Sequence, residues 1–195
     1  MSKQFRDECL LCVGLVVFGV MARVVLQEIP NFAPVAGLAL FAGYVCRSRR
    51  LAVTVPLAIM LISDQWNGGY EWQLRVAVYG LLALPAVWGP TLRTLSQSLA
   101  DRRGAWGRSL ACGAIGSSAL AGSVLFFVGS NVAVWATASW YPSTAAGLAE
   151  CLLNGLPFFR YTLLGDLTFA LGSFAAWQLC QALTQPTRRP LRSLC

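Results

Sequence analysis

The chain contains no histidine, and only 12% of its 195 residues are charged. The missing imidazole removes the commonest general base and the commonest metal ligand. The charged fraction is about half that of an ordinary globular domain, while 56% of the residues are hydrophobic. These shortages argue against a soluble enzyme. They predict an all-α integral membrane protein.

Basic residues are gathered into four groups that alternate with pairs of apolar stretches. Twelve of the fifteen belong to these groups: Lys3 and Arg6; Arg47, Arg49 and Arg50; Arg93, Arg102, Arg103 and Arg108; and Arg188, Arg189 and Arg192. Because basic residues resist translocation, they mark the cytoplasmic side of a membrane protein. The groups therefore predict three membrane hairpins with both termini in the cytoplasm. Since this topology explains the net charge of +7, we expect no nucleic-acid partner, which would require a basic patch on one folded face.

Six transmembrane helices are predicted within a single domain that covers residues 1–195. The segments are residues 9–26, 32–46, 51–66, 74–92, 110–135 and 162–183. A straight span needs about 20 apolar residues, so the second and third are short, and each contains a proline. Such spans either line a cavity or sit in a locally thinned bilayer. Residues 145–159 predict a short helix at the outer surface, and residues 184–195 predict a basic cytoplasmic tail.

The amino terminus and the cysteines predict structural roles. Asp7, Glu8 and Arg23 do not fit a cleaved signal peptide, so we expect a retained first helix. The seven cysteines are odd in number, and only Cys151 falls on the predicted outer side, which argues against a disulfide framework. A lone C-x-x-C pair without histidine does not make a zinc site. We expect neither a metal nor a cofactor.

Two candidate binding residues precede the second segment and two end the third. Asn31 can cap the following helix, or it can present its amide to a ligand beside the ring of Phe32. Asp64 is costly at membrane depth, where carboxylates are paired or functional. Trp66 fits either a site wall or an interfacial aromatic belt. The sequence leaves both interpretations of each pair open.

Three further candidates follow in the fifth segment and the third outer loop. Asn131 and Trp135 lie four residues apart and so share a helix face, and Tyr141 follows them. An asparagine in an apolar helix requires a hydrogen-bond partner. We therefore expect the Asn131 side chain to contact either another helix or a ligand.

The last candidates come from one stretch at the start of the sixth segment, namely Phe158, Arg160, Thr162 and Asp166. Thr162 and Asp166 share a helix face because they lie four residues apart. An arginine and an aspartate at the mouth of one helix predict a structural ion pair or a polar ligand site. Arg23, Arg75 and Arg160 lie outside the four basic groups. Each is close in sequence to a carboxylate on the predicted outer side.

Several motifs together resemble an uncharacterised family of bacterial six-span membrane proteins. They are N-F-A-P-V-A-G-L-A-L-F-A-G from Asn31, S-D at Ser63, S-N-V-A-V-W from Ser130, Y-P at Tyr141, G-L at Gly147 and L-P-F-F-R-Y-T-L-L-G-D from Leu156. That family is similar in architecture to the S components of energy-coupling-factor vitamin transporters. The resemblance implies a six-helix bundle, a site open to the outside, and an inner face that docks a transporter scaffold. The A-x-x-x-A docking pattern of S components is not matched by Gly14, Gly19 and Ala22.

Three functions were weighed against these features. The first is binding and uptake of a small molecule that resembles a vitamin or its precursor, in the bacterial cytoplasmic membrane. The second is a structural or assembly subunit that contacts a protein partner through small-residue helix faces. The third, an intramembrane aspartyl enzyme using Asp64 and Asp166, lacks the first glycine of the G-x-G-D signature at Leu163. We therefore expect no enzyme.

Overall fold

In the computed structural model, which describes residues 3–67 and 71–184, all regular secondary structure is helical. The helices are α1 (Lys3–Val25), α2 (Val35–Val45), α3 (Arg49–Asn67), α4 (Trp72–Thr137) and α5 (Ala145–Thr184). The predicted tail beyond Thr184, including its three arginines, lies outside the described residues. The tyrosine and glycines of the second outer loop also lie outside them.

Helix α4 consists of two antiparallel arms, α4a (Trp72–Leu99) and α4b (Ser109–Thr137). On a straight helix Leu81 and Gly129 would lie about 72 Å apart, because each residue advances the axis by about 1.5 Å. Instead, a Cβ added to Gly129 would lie 2.6 Å from Leu81, and one added to Gly122 would lie 3.3 Å from Pro85. The chain therefore reverses between the arms. The six predicted helical segments are all present.

Two predicted helix boundaries were wrong. The expected surface helix at residues 145–159 is not a separate element, because the chain continues without a break through Pro157 into the rest of α5. Helix α2 begins three residues later than predicted, and Pro34 is its N-cap residue. Asn31 therefore does not cap α2. It lies in the preceding turn with a positive φ of 60°, a conformation that asparagine tolerates better than most residues.

Helix α2 forms the centre of the molecule. Its first nine residues, Val35 to Gly43, are all buried. With 11 residues it is only about 16 Å long, which is roughly half the hydrocarbon thickness of a bilayer. The other helices therefore surround it. Aromatic rings from α5 close over its second half, with Phe174 at 5.3 Å from Phe41 and 4.7 Å from Tyr44, measured between ring centroids.

Glycines allow the backbones around α2 to approach closely. A Cβ on Gly43 would overlap the Ala86 carbonyl of α4a, and one on Gly89 would overlap the backbone of Gly43. On the opposite side, a Cβ on Gly37 would lie 2.8 Å from the Ala170 nitrogen of α5. Small residues at such positions are typical of membrane helix packing, where close van der Waals contact replaces the hydrophobic effect.

The carboxyl end of α2 is held by an arginine. Arg93 of α4a donates through Nη2 to the carbonyl of Cys46 at 2.6 Å and to that of Gly43 at 3.4 Å. A guanidinium at this position satisfies terminal carbonyls and complements the helix dipole. The buried thiols of Cys46 and Cys12 lie 3.5 Å apart beside it.

Four helical segments, namely α1, α4a, α4b and α5, are long and apolar enough to cross a membrane. Large apolar side chains cover their outer surfaces. Val17, Leu125 and Leu164, for example, are each about half exposed, at 53%, 48% and 54%. A soluble monomer rarely exposes so much contiguous apolar surface, so these faces indicate a membrane protein.

Replacing Gly89 with alanine is expected to lower the free energy of unfolding by about 1–3 kcal/mol, because the added methyl group overlaps the α2 backbone. Gly80 of the same arm has open space beside it, so Gly80→Ala should leave stability unchanged or raise it slightly. Thermal unfolding in detergent micelles measures both. An equal loss in the two variants would contradict the close approach of α2 and α4a.

Candidate functional site

A cavity of about 580 Å³ opens at one end of the bundle, where α1 and α3 end and α2 and α4a begin. We call it the main cavity. Its polar lining comes from Arg23, Gln27, Glu28, Asn31, Thr162 and Asp166, and its apolar lining includes Phe32, Met60, Val78, Leu82 and Phe126. Binding sites for small molecules have this size and this mixture of apolar walls and a few polar groups.

An ion pair forms part of one wall of the main cavity, with Arg23 lining the cavity and Asp64 behind it. Arg23 of α1 contacts Asp64 of α3 with 2.6 Å between Nη1 and Oδ1, and the two side chains are only 12% and 4% exposed. Arg23 also donates to Ser63, and the hydroxyl of Tyr79 donates to the second carboxylate oxygen of Asp64 at 2.7 Å. Since each group of this network satisfies another, the structure shows the paired interpretation of Asp64, with Arg23 as its partner.

Asp166 lies on the opposite side of the main cavity and is 4% exposed. Its Oδ2 accepts a hydrogen bond from Ser123 of α4b at 2.7 Å, and the backbone N–H of Gly37 also stabilises the carboxylate electrostatically. Gly37 is in the first turn of α2, where backbone N–H groups lack partners within the helix. The Asp166 carboxylate thus lies beside the first turn of α2, where Asn31 was one candidate for a capping residue.

The turn between α1 and α2 brings Asn31 and Phe32 to the main cavity. The turn is closed by a hydrogen bond from the Phe32 N–H to the Ile29 carbonyl at 3.2 Å. The Phe32 ring packs against Phe169 of α5, with 5.9 Å between centroids. Gly165 allows α5 to pass close by, since a Cβ there would lie 3.0 Å from the Ala33 nitrogen. The site interpretation of Asn31 and Phe32 is therefore compatible with their positions.

A second cavity of about 200 Å³ adjoins the main one. We call it the aromatic annex, since Phe126, Phe127, Phe158 and Phe159 line it. Four residues line both cavities, namely Asn31, Val78, Phe126 and Thr162. The predicted residue Asn131 faces the annex, but its amide nitrogen already donates to the Phe127 carbonyl at 2.7 Å.

Asp64 and four other predicted site residues line neither cavity. Trp135 donates its indole N–H to the Pro142 carbonyl at 2.9 Å, and the Tyr141 hydroxyl accepts from Asn154 at 3.3 Å. Both bonds hold the loop between α4b and α5 in place. Arg160 forms no salt bridge with Asp166 in the described part of the chain, and it lies over the Tyr161 ring, 4.6 Å from its centroid. Trp66 is 66% exposed, which fits the interfacial interpretation of this residue.

Sequence reasoning missed several members of the site. Neither Ser123, which donates to Asp166, nor Tyr79, which donates to Asp64, is among the predicted site residues. The available signal was indirect, because a carboxylate at membrane depth requires donors on neighbouring helices. The sequence showed that Asp64 and Asp166 needed partners, but only packing could choose Tyr79 and Ser123 from the other hydroxyl groups.

The chain belongs to a family of unknown function, DUF6580, whose model matches residues 3–188. This confirms the membership in an uncharacterised family that the motifs indicated. No curated protein and no solved structure matches the chain. The function therefore has to be inferred from the cavities and their linings.

Replacing Asp64 with alanine is expected to destabilise the protein by about 3–5 kcal/mol, because it leaves the Arg23 guanidinium buried without its carboxylate. The double variant Arg23→Met with Asp64→Leu should recover much of that loss, since neither charge then remains. Tyr79→Phe should cost about 1–3 kcal/mol. Denaturation in detergent measures each, and additive losses for the two ion-pair residues would show that they do not interact.

Proposed function

We propose that this protein binds a small molecule in the main cavity and serves its uptake, in the manner of the S components of energy-coupling-factor transporters. One observation carries the proposal. Residues from separate parts of the chain, including Asn31 of the turn before α2 and Thr162 and Asp166 of α5, meet at one cavity of ligand size. Sequence motifs alone had marked all three as candidate ligand contacts.

The chemistry of the lining supports this proposal. The main cavity offers amides from Gln27 and Asn31, a hydroxyl from Thr162 and carboxylates from Glu28 and Asp166. Convergent polar groups of this kind orient a ligand, while the apolar walls provide the area that drives binding. The Arg23–Asp64 pair stabilises the wall beside them, which keeps the cavity formed before a ligand arrives.

The proposed orientation places the main cavity at the outer face of the bacterial cytoplasmic membrane, with both termini inside. The support comes from charge. Arg47, Arg93 and the first-turn residue Arg49 of α3 lie at the other end of the bundle, as expected for the cytoplasmic side. At the cavity end, Arg23 is neutralised by Asp64.

A second candidate function is a structural or assembly subunit of a larger membrane complex. It is favoured by the small-residue face of α4b, where nothing lies within 4 Å of a Cβ added to Gly113 or Gly116. Gly122 and Gly129 of the same arm, by contrast, pack against α4a. The unfilled part of the face could receive a partner helix at close range.

Native mass spectrometry of the detergent-purified protein separates the two candidates. For uptake, we expect a co-purified small molecule that is retained in Trp66→Ala, a control outside both cavities. Asn31→Ala should weaken its binding about 10-fold or more, because a buried hydrogen bond to the ligand is lost. A fixed protein partner without a small molecule favours the assembly subunit. Undiminished retention in Asn31→Ala would count against the main cavity as the site.

The orientation is tested by labelling with a membrane-impermeant thiol reagent on intact spheroplasts, in a background without native cysteines. Ser143 and Ser98 are exposed and lie at opposite ends of the bundle. Ser143→Cys should react without permeabilisation, and Ser98→Cys only after it, because the basic groups hold their end in the cytoplasm. The reverse pattern would invert the proposed orientation.

A further inference from the structure

The charges around the main cavity do not balance. Arg23 lines the cavity and is paired with Asp64, so this pair contributes no net charge. Glu28 and Asp166 remain, and both line the cavity. Among the described residues, no lysine or arginine forms a salt bridge with Asp166. When Glu28 and Asp166 are both ionised, the cavity therefore carries a net negative charge.

Of the Glu28 and Asp166 carboxyl groups, that of Asp166 matters more because it is deeply buried. Its two partners, the Ser123 hydroxyl and the Gly37 N–H, are neutral donors. A carboxylate has about four acceptor positions, so two donors leave acceptor capacity on the cavity side. A buried charge without an opposite charge is costly. A cation in the cavity would remove that cost, whereas an anion would increase it.

Aromatic surfaces define the rest of the ligand. Phe32 and Phe126 line the main cavity, and faces of such rings attract cations as well as apolar groups. The aromatic annex begins at Thr162, which is one helical turn, or about 6 Å, from Asp166 along α5. A linker of two or three carbons covers that distance, so the two subsites can hold the two ends of one small molecule.

We infer that the ligand is an amphiphilic amine, with its protonated nitrogen against Asp166 and an apolar or aromatic arm in the aromatic annex. This inference rests on the proposed function and specifies its substrate class. Thr162 and Asn31 line both cavities, and they supply the polar contacts between the two ends. The Arg23–Asp64 pair serves the wall rather than the ligand.

The test uses three probes of one shape and different charge, namely 2-phenylethylamine, 2-phenylethanol and 3-phenylpropanoate. Thermal-shift titrations of the full chain in detergent give their dissociation constants. The amine should bind most tightly. Asp166→Asn, which keeps an acceptor for Ser123, should weaken the amine about 10- to 100-fold and leave the alcohol little changed. Glu28→Gln removes the same charge at the exposed rim and should have a smaller effect.

The annex is tested by Val134→Trp, which fills it. This variant should abolish the preference for 2-phenylethylamine over ethylamine while keeping the preference for the amine over 3-phenylpropanoate. Because Val134→Trp leaves Asp166 intact, it still tests the inference if the Asp166→Asn variant does not fold. Equal or tighter binding of the alcohol or the anion by the wild-type chain, or no binding of the amine at millimolar concentration, overturns the inference.

The identity of the co-purified molecule distinguishes a failure of the amine assignment from a failure of the proposed function. A bound metabolite without a basic nitrogen, lost in Asn31→Ala, would overturn the amine assignment and leave small-molecule binding standing. The absence of any bound small molecule in both experiments would overturn the proposed function itself.

Discussion

The burial of α2 is the constraint on which the rest of the structure depends. A helix of 11 residues is too short to cross a bilayer and too apolar to lie in water, so the other helices must enclose it. In lipid the enclosure is driven by close packing rather than by release of water. Gly37, Gly43 and Gly89 make that packing possible by removing side chains where the α2 backbone meets α5 and α4a.

Enclosing a short helix creates the cavity above it. Because α2 begins well inside the bundle, the turn before it fills only part of the space between α1, α4 and α5. Asn31 and Phe32 of that turn line the space that remains. The N–H groups of the first turn of α2 have no partners within the helix, and the Asp166 carboxylate lies beside that of Gly37. The cavity and its buried carboxylate are thus consequences of the same short helix.

Polar groups within the apolar bundle come in matched sets. Arg23, Asp64 and Tyr79 form one set, and Asp166 with Ser123 forms the other. Unpartnered groups would cost several kcal/mol at this depth, so each set fixes the relative positions of the helices that contribute to it. The first set joins α1, α3 and α4a. The second joins α5 to α4b and, through Gly37, to α2.

The sequence by itself determined the helical class, the six segments, and four of the residues at the main cavity, namely Asn31, Phe32, Thr162 and Asp166. These features depend only on the residue types within each segment. Apolar length predicts helices in a bilayer, and the cost of a charge at membrane depth marks Arg23, Asp64 and Asp166 without knowledge of their surroundings. The N-F-A-P and Y-T-L-L-G-D motifs likewise led to Asn31 and Asp166 because rare polar residues stand out in an apolar chain.

Tertiary structure alone decided which of these residues meet. It separated Trp135, Tyr141 and Arg160, which stabilise loops and surfaces, from Thr162 and Asp166, which line a cavity. It also selected Ser123 as the partner of Asp166 and joined the predicted surface helix to α5. Hydrogen bonding requires atoms within about 3 Å, and distances across a bundle depend on how helices pack. Spacing along the chain determines which residues share one helix face, but it does not determine the neighbouring helix that this face contacts.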